Sequence, residues 1–200
     1  MSALRSSLIG SEGFEVLVEN GWYAFADMSA RDVRSIADQF QDDPIAAGER
    51  IAQWVRDRVD QVEADLAFEF PDRRAILANA FAAHREGTFN LSVPVFLAQA
   101  DGIWLERCGH NLFDGDISAT VAAALGDRVR DGVIDRLLRT LTSREWKLRR
   151  SKGGRGPSFS DLNRHQVLHG EATDYGTEEN SLKAIAMLHF SNFVLRRLTS

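Results

Sequence analysis

Apolar side chains recur in steps of three and four residues through most of this chain, and that period commits it to helices. The series Ile51, Trp54, Val55, Val59, Val62 and Leu66 predicts one long amphipathic helix ending at Phe70-Pro71. Before it, Ser29 is an N-cap candidate for a helix carrying Val33, Ile36, Ala37 and Phe40, which Asp42-Asp43-Pro44 interrupts. After Pro71, the positions Ile76, Leu77, Ala80, Phe81 and His84 predict another helix, closed by Glu86-Gly87. The run from Leu91 to Trp104 is apolar nearly all round, as in a helix buried inside a bundle, and Pro94 is expected in its first turn.

The remaining segments read less uniformly. Residues 1–12 show no sustained period and are expected to be an irregular lead-in. Phe14, Val16 and Val18 alternate with polar neighbours, and Trp22, Tyr23 and Phe25 follow, which fits either a short strand or an irregular apolar arm. Cys108 to Asp116 reads as a loop, 117–125 and 133–148 as helical, and 151–158 as a glycine-rich connection. Phe159 to His169 predicts a short helix capped by Ser158 or Ser160. After a second loop at Glu171 to Gly176, Leu182, Ile185, Ala186, His189, Phe190, Phe193 and Val194 predict a final amphipathic helix. The expected fold is an all-α helical bundle with a short irregular or β arm near the N-terminus.

Composition narrows the class. With 44% hydrophobic and 26% charged residues and only 4 prolines, the chain is that of a folded globular protein. A net charge of -5 and a pI near 5.6 argue against a surface that is basic throughout, although a local basic patch is compatible with them. The single cysteine, Cys108, cannot form an internal disulfide. No apolar run approaches the roughly 20 residues that span a bilayer, and Met1 to Gly10 lacks the apolar core of a signal peptide. No membrane association is expected, and the cytoplasm is the expected location.

The chemistry-bearing residues concentrate late in the chain. Asn163-Arg164-His165-Gln166-Val167-Leu168-His169-Gly170 packs one arginine and two histidines into a few positions. Histidine serves as general acid or base near neutral pH, and a guanidinium holds phosphate through two parallel hydrogen bonds. Cleavage of RNA without a metal needs such parts, a base for the ribose 2′-hydroxyl and a fixed cation for the charge developing on phosphorus. On a regular helix Arg164 and His169, five residues apart, lie roughly 140° from each other. A kink, or a two-fold dimer apposing two copies of the segment, brings them together, and the dimer is the preferred expectation.

Two stretches carry opposite charge. Between Arg31 and Asp72 there are eleven acidic and five basic residues, the pattern of a solvated acidic face. Between Arg144 and Arg164 the order reverses, with Arg144, Lys147, Arg149, Arg150, Lys152, Arg155 and Arg164 against Glu145 and Asp161. Among these, Arg149, Arg150, Lys152 and Arg155 are candidate phosphate contacts. The alternative is a solvated loop, or one that neutralises the acidic helices of a partner subunit.

Arg164-His165-Gln166-Val167-Leu168-His169 matches the R-x4-H signature of HEPN domains, and the stretch from Phe70 to Thr199 resembles uncharacterised bacterial proteins with such a C-terminal domain. The resemblance implies an N-terminal region, residues 1–70, of tail, arm and acidic helices packing on a HEPN-like helical domain, residues 71–200. It implies a homodimer with the motif at its interface, and metal-independent endoribonuclease activity of the kind found in toxin and phage-defence systems, with no cofactor. A cognate antitoxin or sensor protein is then an expected partner, beside RNA. Carried over to this chain, Arg164 binds phosphate, His169 acts as general acid or base, His165 positions or assists, and Asn163 is a weaker substrate contact. The alternative is a noncatalytic HEPN-like module that binds a nucleotide, RNA or a protein, in which Arg164 pairs with Asp161 or Asp174 and His169 ends a helix before Gly170.

Other candidates are weaker. Cys108, His110, Asp114 and Asp116 have metal-ligand chemistry but no second closed pair, so no metal site is expected. His84 and His189 fall on apolar stripes, where buried, hydrogen-bonded histidines are common. Tyr175 either packs beside the motif and orients it or anchors its loop on the bundle, and the anchor is the preferred expectation. There is no phosphate-binding glycine loop, no G-x-G-x-x-G and no nucleophile elbow, which disfavours the common ATPases, dehydrogenases and hydrolases.

Overall fold

Two helices that are apolar on most sides organise the computed structural model, which describes residues 13–113, 138–141, 143, 146–150, 152–154, 159 and 161–199. They are α6, Phe89–Cys108, and α8, Glu178–Thr199, and they pack along each other. Around them stand α1 (Gly13–Glu19), α2 (Ala30–Asp42), α3 (Pro44–Arg56), α4 (Val59–Glu69), α5 (Arg74–Arg85) and the short α7 (Arg164–Leu168). The described residues contain no strand, and the fold is an all-α bundle. One contiguous core runs from Phe14 to Leu198 and includes buried residues on both sides of Phe70-Pro71.

Local chemistry explains several boundaries. Ser29 caps α2 in a reciprocal capping box with Asp32, and Asp43 caps α3 through the amide of Ala46. Gly87 takes a left-handed conformation just past α5, as the Glu86-Gly87 stop requires.

Four sequence expectations are corrected. The single helix over Ile51 to Leu66 is two, broken at Asp57 and Arg58, where Arg58 Nε reaches Asp27 Oδ2 at 2.7 Å and its guanidinium lies over Trp54. The strand alternative for Phe14, Val16 and Val18 fails because the buried set is Phe14, Leu17 and Val18, a helical period; the irregular arm follows it, with Trp22, Tyr23, Ala24 and Phe25 all buried. The final helix is buried on most of its circumference, because α3, α4 and α6 all contact it, where the sequence predicts one apolar face. Pro94 sits in the second turn of α6, past the tolerated first turn.

That proline frees the carbonyl of Asn90, which would otherwise receive an amide hydrogen from position 94. The hydroxyl of Tyr175 donates to that oxygen at 3.2 Å. Gly176 continues the contact, since a Cβ there would stand 3.2 Å from the Asn90 backbone nitrogen. The loop after α7 is thereby anchored on the start of α6, as expected of Tyr175.

A buried polar cluster joins α5, α6 and α8. His84 Nδ1 lies 2.8 Å from Ser181 Oγ, which lies 2.9 Å from Ser92 Oγ. Burial pushes the imidazole pKa of His84 down, favouring the neutral ring that can share a single proton with the serine. The expected helix at 117–125, half of the one at 133–148, and the lead-in 1–12 lie outside the described residues; of the rest, 138–141 is helical, whereas Ser143 and 146–148 are not, so the helix expected to reach Leu148 does not.

Candidate functional site

The segment Asn163 to Gly170 folds as one helical turn closed at both ends by its own sequence. Asn163, not Ser158 or Ser160, is the N-cap, and its Oδ1 accepts the amide of Gln166 at 3.2 Å. The helix therefore starts later than the sequence predicts. At the other end Gly170, with φ +69°, donates its amide to Val167 O at 3.2 Å, and Glu171 donates to Gln166 O at 2.8 Å. That pair of bonds is a Schellman closure, which needs the left-handed residue that glycine supplies. His169 is the C-cap residue, as the noncatalytic alternative has it.

The same asparagine fastens the preceding basic segment. Its Nδ2 donates to Lys147 O at 2.7 Å and to Arg150 O at 3.0 Å, and the amide of Arg164 donates to Leu148 O at 2.9 Å. Asn163 is only 1% exposed, so its side chain faces the protein's own backbone.

Arg164 points back onto the C-terminal half of α6 and the segment that follows it. Its guanidinium carbon lies 4.7 Å from the centre of the Phe113 ring, and Nη2 lies 3.8 Å from Asp101 Oδ2. Asp101 also accepts the amide of Phe113 at 3.0 Å, fixing the ring on which the guanidinium rests. The Nε of Arg164 is buried without a hydrogen-bond partner, while the side chain as a whole keeps 24% exposure. Asp161 is instead 2.9 Å from Lys147, and the carboxylate beside Arg164 is neither of the two anticipated.

The two imidazoles pair with each other. The rings of His165 and His169 stand 4.3 Å apart at 50°, on the i and i+4 positions that a helical turn brings together. His165 Nε2 lies 3.6 Å from Glu171 Oε1, and His169 is exposed. The turn thus carries one stacked guanidinium and two adjacent solvent-reachable imidazoles.

The basic segment is divided in its contacts. Arg149 turns inward, with Nη1 3.3 Å from Leu141 O and its guanidinium carbon 5.8 Å from the Phe113 ring that also carries Arg164. Arg150 lies 6.0 Å from the ring of Phe159. Lys152 is exposed in a 3-10 turn, Lys152–Gly154, and Arg155 lies outside the described residues. Sequence reasoning missed Asp101 and Phe113. Asp101 had a signal, as the one charged side chain within the apolar run Leu91 to Trp104; Phe113 had none.

Among the described residues no group of three or more His, Cys, Asp or Glu side chains could hold a metal ion, and no helix is long and apolar enough to cross a membrane. Burial raises the pKa of the Cys108 thiol, which disfavours the thiolate. No family profile, curated protein or solved structure matches this chain.

Proposed function

We propose that this protein is a metal-independent endoribonuclease of the HEPN type, acting as a homodimer, with a role in a toxin or phage-defence system. The observation that carries the reading is one capped turn that bears both Arg164, held on Phe113, and the paired imidazoles of His165 and His169. In this reading His169 takes the ribose 2′-hydroxyl proton, the 2′-oxygen attacks phosphorus, and the 5′-oxygen leaves with a proton from a second imidazole. Arg164 balances the charge on the phosphoryl oxygens, and a two-fold partner supplies a second copy of the turn. Arg150 and Lys152 are the proposed backbone contacts beside it, and Arg155, from the same basic stretch of sequence, is a further candidate. RNA and a cognate antitoxin or sensor are the proposed partners.

A second reading is a noncatalytic module of the same ancestry that binds a nucleotide, RNA or a protein. The proximity of Arg164 to Asp101 and of His165 to Glu171 favours it, since both side chains already have a carboxylate neighbour. The test incubates purified protein with total tRNA and mRNA in EDTA, comparing wild type with Arg164→Ala and His169→Ala at equal folded dimer concentration. Catalysis predicts fragments with 2′,3′-cyclic phosphate ends from wild type and a loss of 100-fold or more, on the order of that for removing one transition-state donor, in both variants. Equal and negligible cleavage by all three folded proteins selects the binding module.

A further inference from the structure

The seam between α4 and α8 is left open. A cavity of about 490 Å³ lies between the two helices and is bounded at one end by the irregular 25–27 segment. Close-packed interiors leave few voids larger than one water, whereas sites for small molecules commonly begin at about 300 Å³. The residues facing this space recur at the helical period on both sides, yet several are polar: Gln61 and Asp65 on α4, and His189 and Asn192 on α8.

Asn192 is the most telling of them. It is 4% exposed, and its Oδ1 has no hydrogen-bond partner, an arrangement that costs stability and that buried carboxamides normally avoid. One helical turn earlier, the imidazole of His189 stacks on Phe25 with centroids 4.2 Å apart and planes 14° from parallel. Burial lowers its pKa to about 4, so near neutral pH the ring is neutral, with one N–H and one lone pair. Opposite, Asp65 Oδ1 accepts from Gln61 at 2.7 Å and leaves its other oxygen for a further donor. Arg197 lies over Phe193 at 5.2 Å, and among the described residues it has no carboxylate within 4.0 Å.

We propose that this cavity is a binding site for a small organic anion that also carries N–H donors. The anionic group pairs with Arg197 and accepts from the carboxamide N–H of Asn192, the donors meet Asp65, and the apolar part of the molecule lies against Phe25 and Phe193. The site shares no residue with the Arg164 to His169 turn, so the inference stands or falls separately from the ribonuclease reading. Two kinds of molecule supply this chemistry, amino acids through ammonium and carboxylate, and nucleoside monophosphates through base N–H and phosphate.

The experiment uses the full chain, with the proteinogenic L-α-amino acids and the 5′-ribonucleoside monophosphates as two probe sets at millimolar concentration. Binding is read by calorimetry and by Tm, on wild type, Asn192→Leu and Arg197→Gln. One set binds wild type, and the set that does so identifies the source. Arg197→Gln weakens that binding by tenfold or more while leaving the Tm of the free protein unchanged. Asn192→Leu abolishes binding and raises the free Tm by about 3 °C, because it removes an unpaired buried acceptor. If Asn192→Leu does not fold, Arg197→Gln carries the test alone. Silence from both probe sets, a binder indifferent to both variants, or a lower Tm in folded Asn192→Leu overturns the proposal.

Discussion

Truncating Asn163 should destabilise the fold far more than its place beside the motif suggests. The side chain satisfies three backbone groups at once: the amide of Gln166 and the carbonyls of Lys147 and Arg150, at 3.2, 2.7 and 3.0 Å. Loss of an N-cap costs about 1 kcal/mol. Each carbonyl bond contributes about 1 kcal/mol net, and more where the orphaned oxygen stays buried. Asn163→Ala should therefore cost about 3 kcal/mol, a large part of the roughly 5–15 kcal/mol that holds a domain together. For a chain of this size that is a fall in Tm of roughly 6–12 °C. A series separates the contributions. Asn163→Ser keeps a cap acceptor and should lose about 2 kcal/mol. Asn163→Asp keeps the acceptor and gains from the helix N-terminus, yet it turns an oxygen toward two carbonyl oxygens, so it should cost at least as much as alanine. Equilibrium urea unfolding followed by tryptophan emission measures all three. If the variants stay within about 0.5 kcal/mol of wild type, within the range of an ordinary surface substitution, the stapling role is refuted.

Tyr175→Phe removes the hydroxyl that takes the Asn90 carbonyl freed by Pro94; it should cost about 1 kcal/mol and speed amide hydrogen exchange across residues 170–177, measured by mass spectrometry. Ser181→Ala leaves His84 and Ser92 buried without their shared partner and should lower stability by about 2 kcal/mol in the same urea assay. Stability should also fall as pH drops from about 6.5 to about 4, because burial lowers the pKa of both His84 and His189 and the unfolded chain then binds protons that the folded one does not. His189, with a folded pKa of about 4, contributes about 3 kcal/mol over that window; His189→Gln should flatten the pH dependence of the urea midpoint, and an unchanged slope would contradict the assignment.

Much of the site's framework was legible in the sequence, and the way it is used was not. Arg164, His165 and His169 stand out as a dense cluster, and the glycine after them signals a helix end. Asn163 was legible as a polar neighbour; its role as N-cap was hidden because Ser158 and Ser160 offered the same chemistry a few residues earlier. The break at Asp57 and Arg58 carries neither proline nor glycine, so periodicity ran through it. The burial of α8 was underestimated because a helical pattern reports one face, while contact with α3, α4 and α6 covers several.

By itself the sequence determined the all-α class, the cap at Ser29, the stop at Gly87 and the closure at Gly170. All of these depend on residues within about a turn of one another, where backbone geometry and side-chain hydrogen bonding are local. Only the tertiary structure decided that Asp101 and Phe113 would hold Arg164, that Tyr175 would answer the missing donor of Pro94, and that the α4–α8 seam would stay open around Asn192. Those meetings are set by which apolar faces bury against each other, a nonlocal outcome that the periodicity of any single helix does not specify.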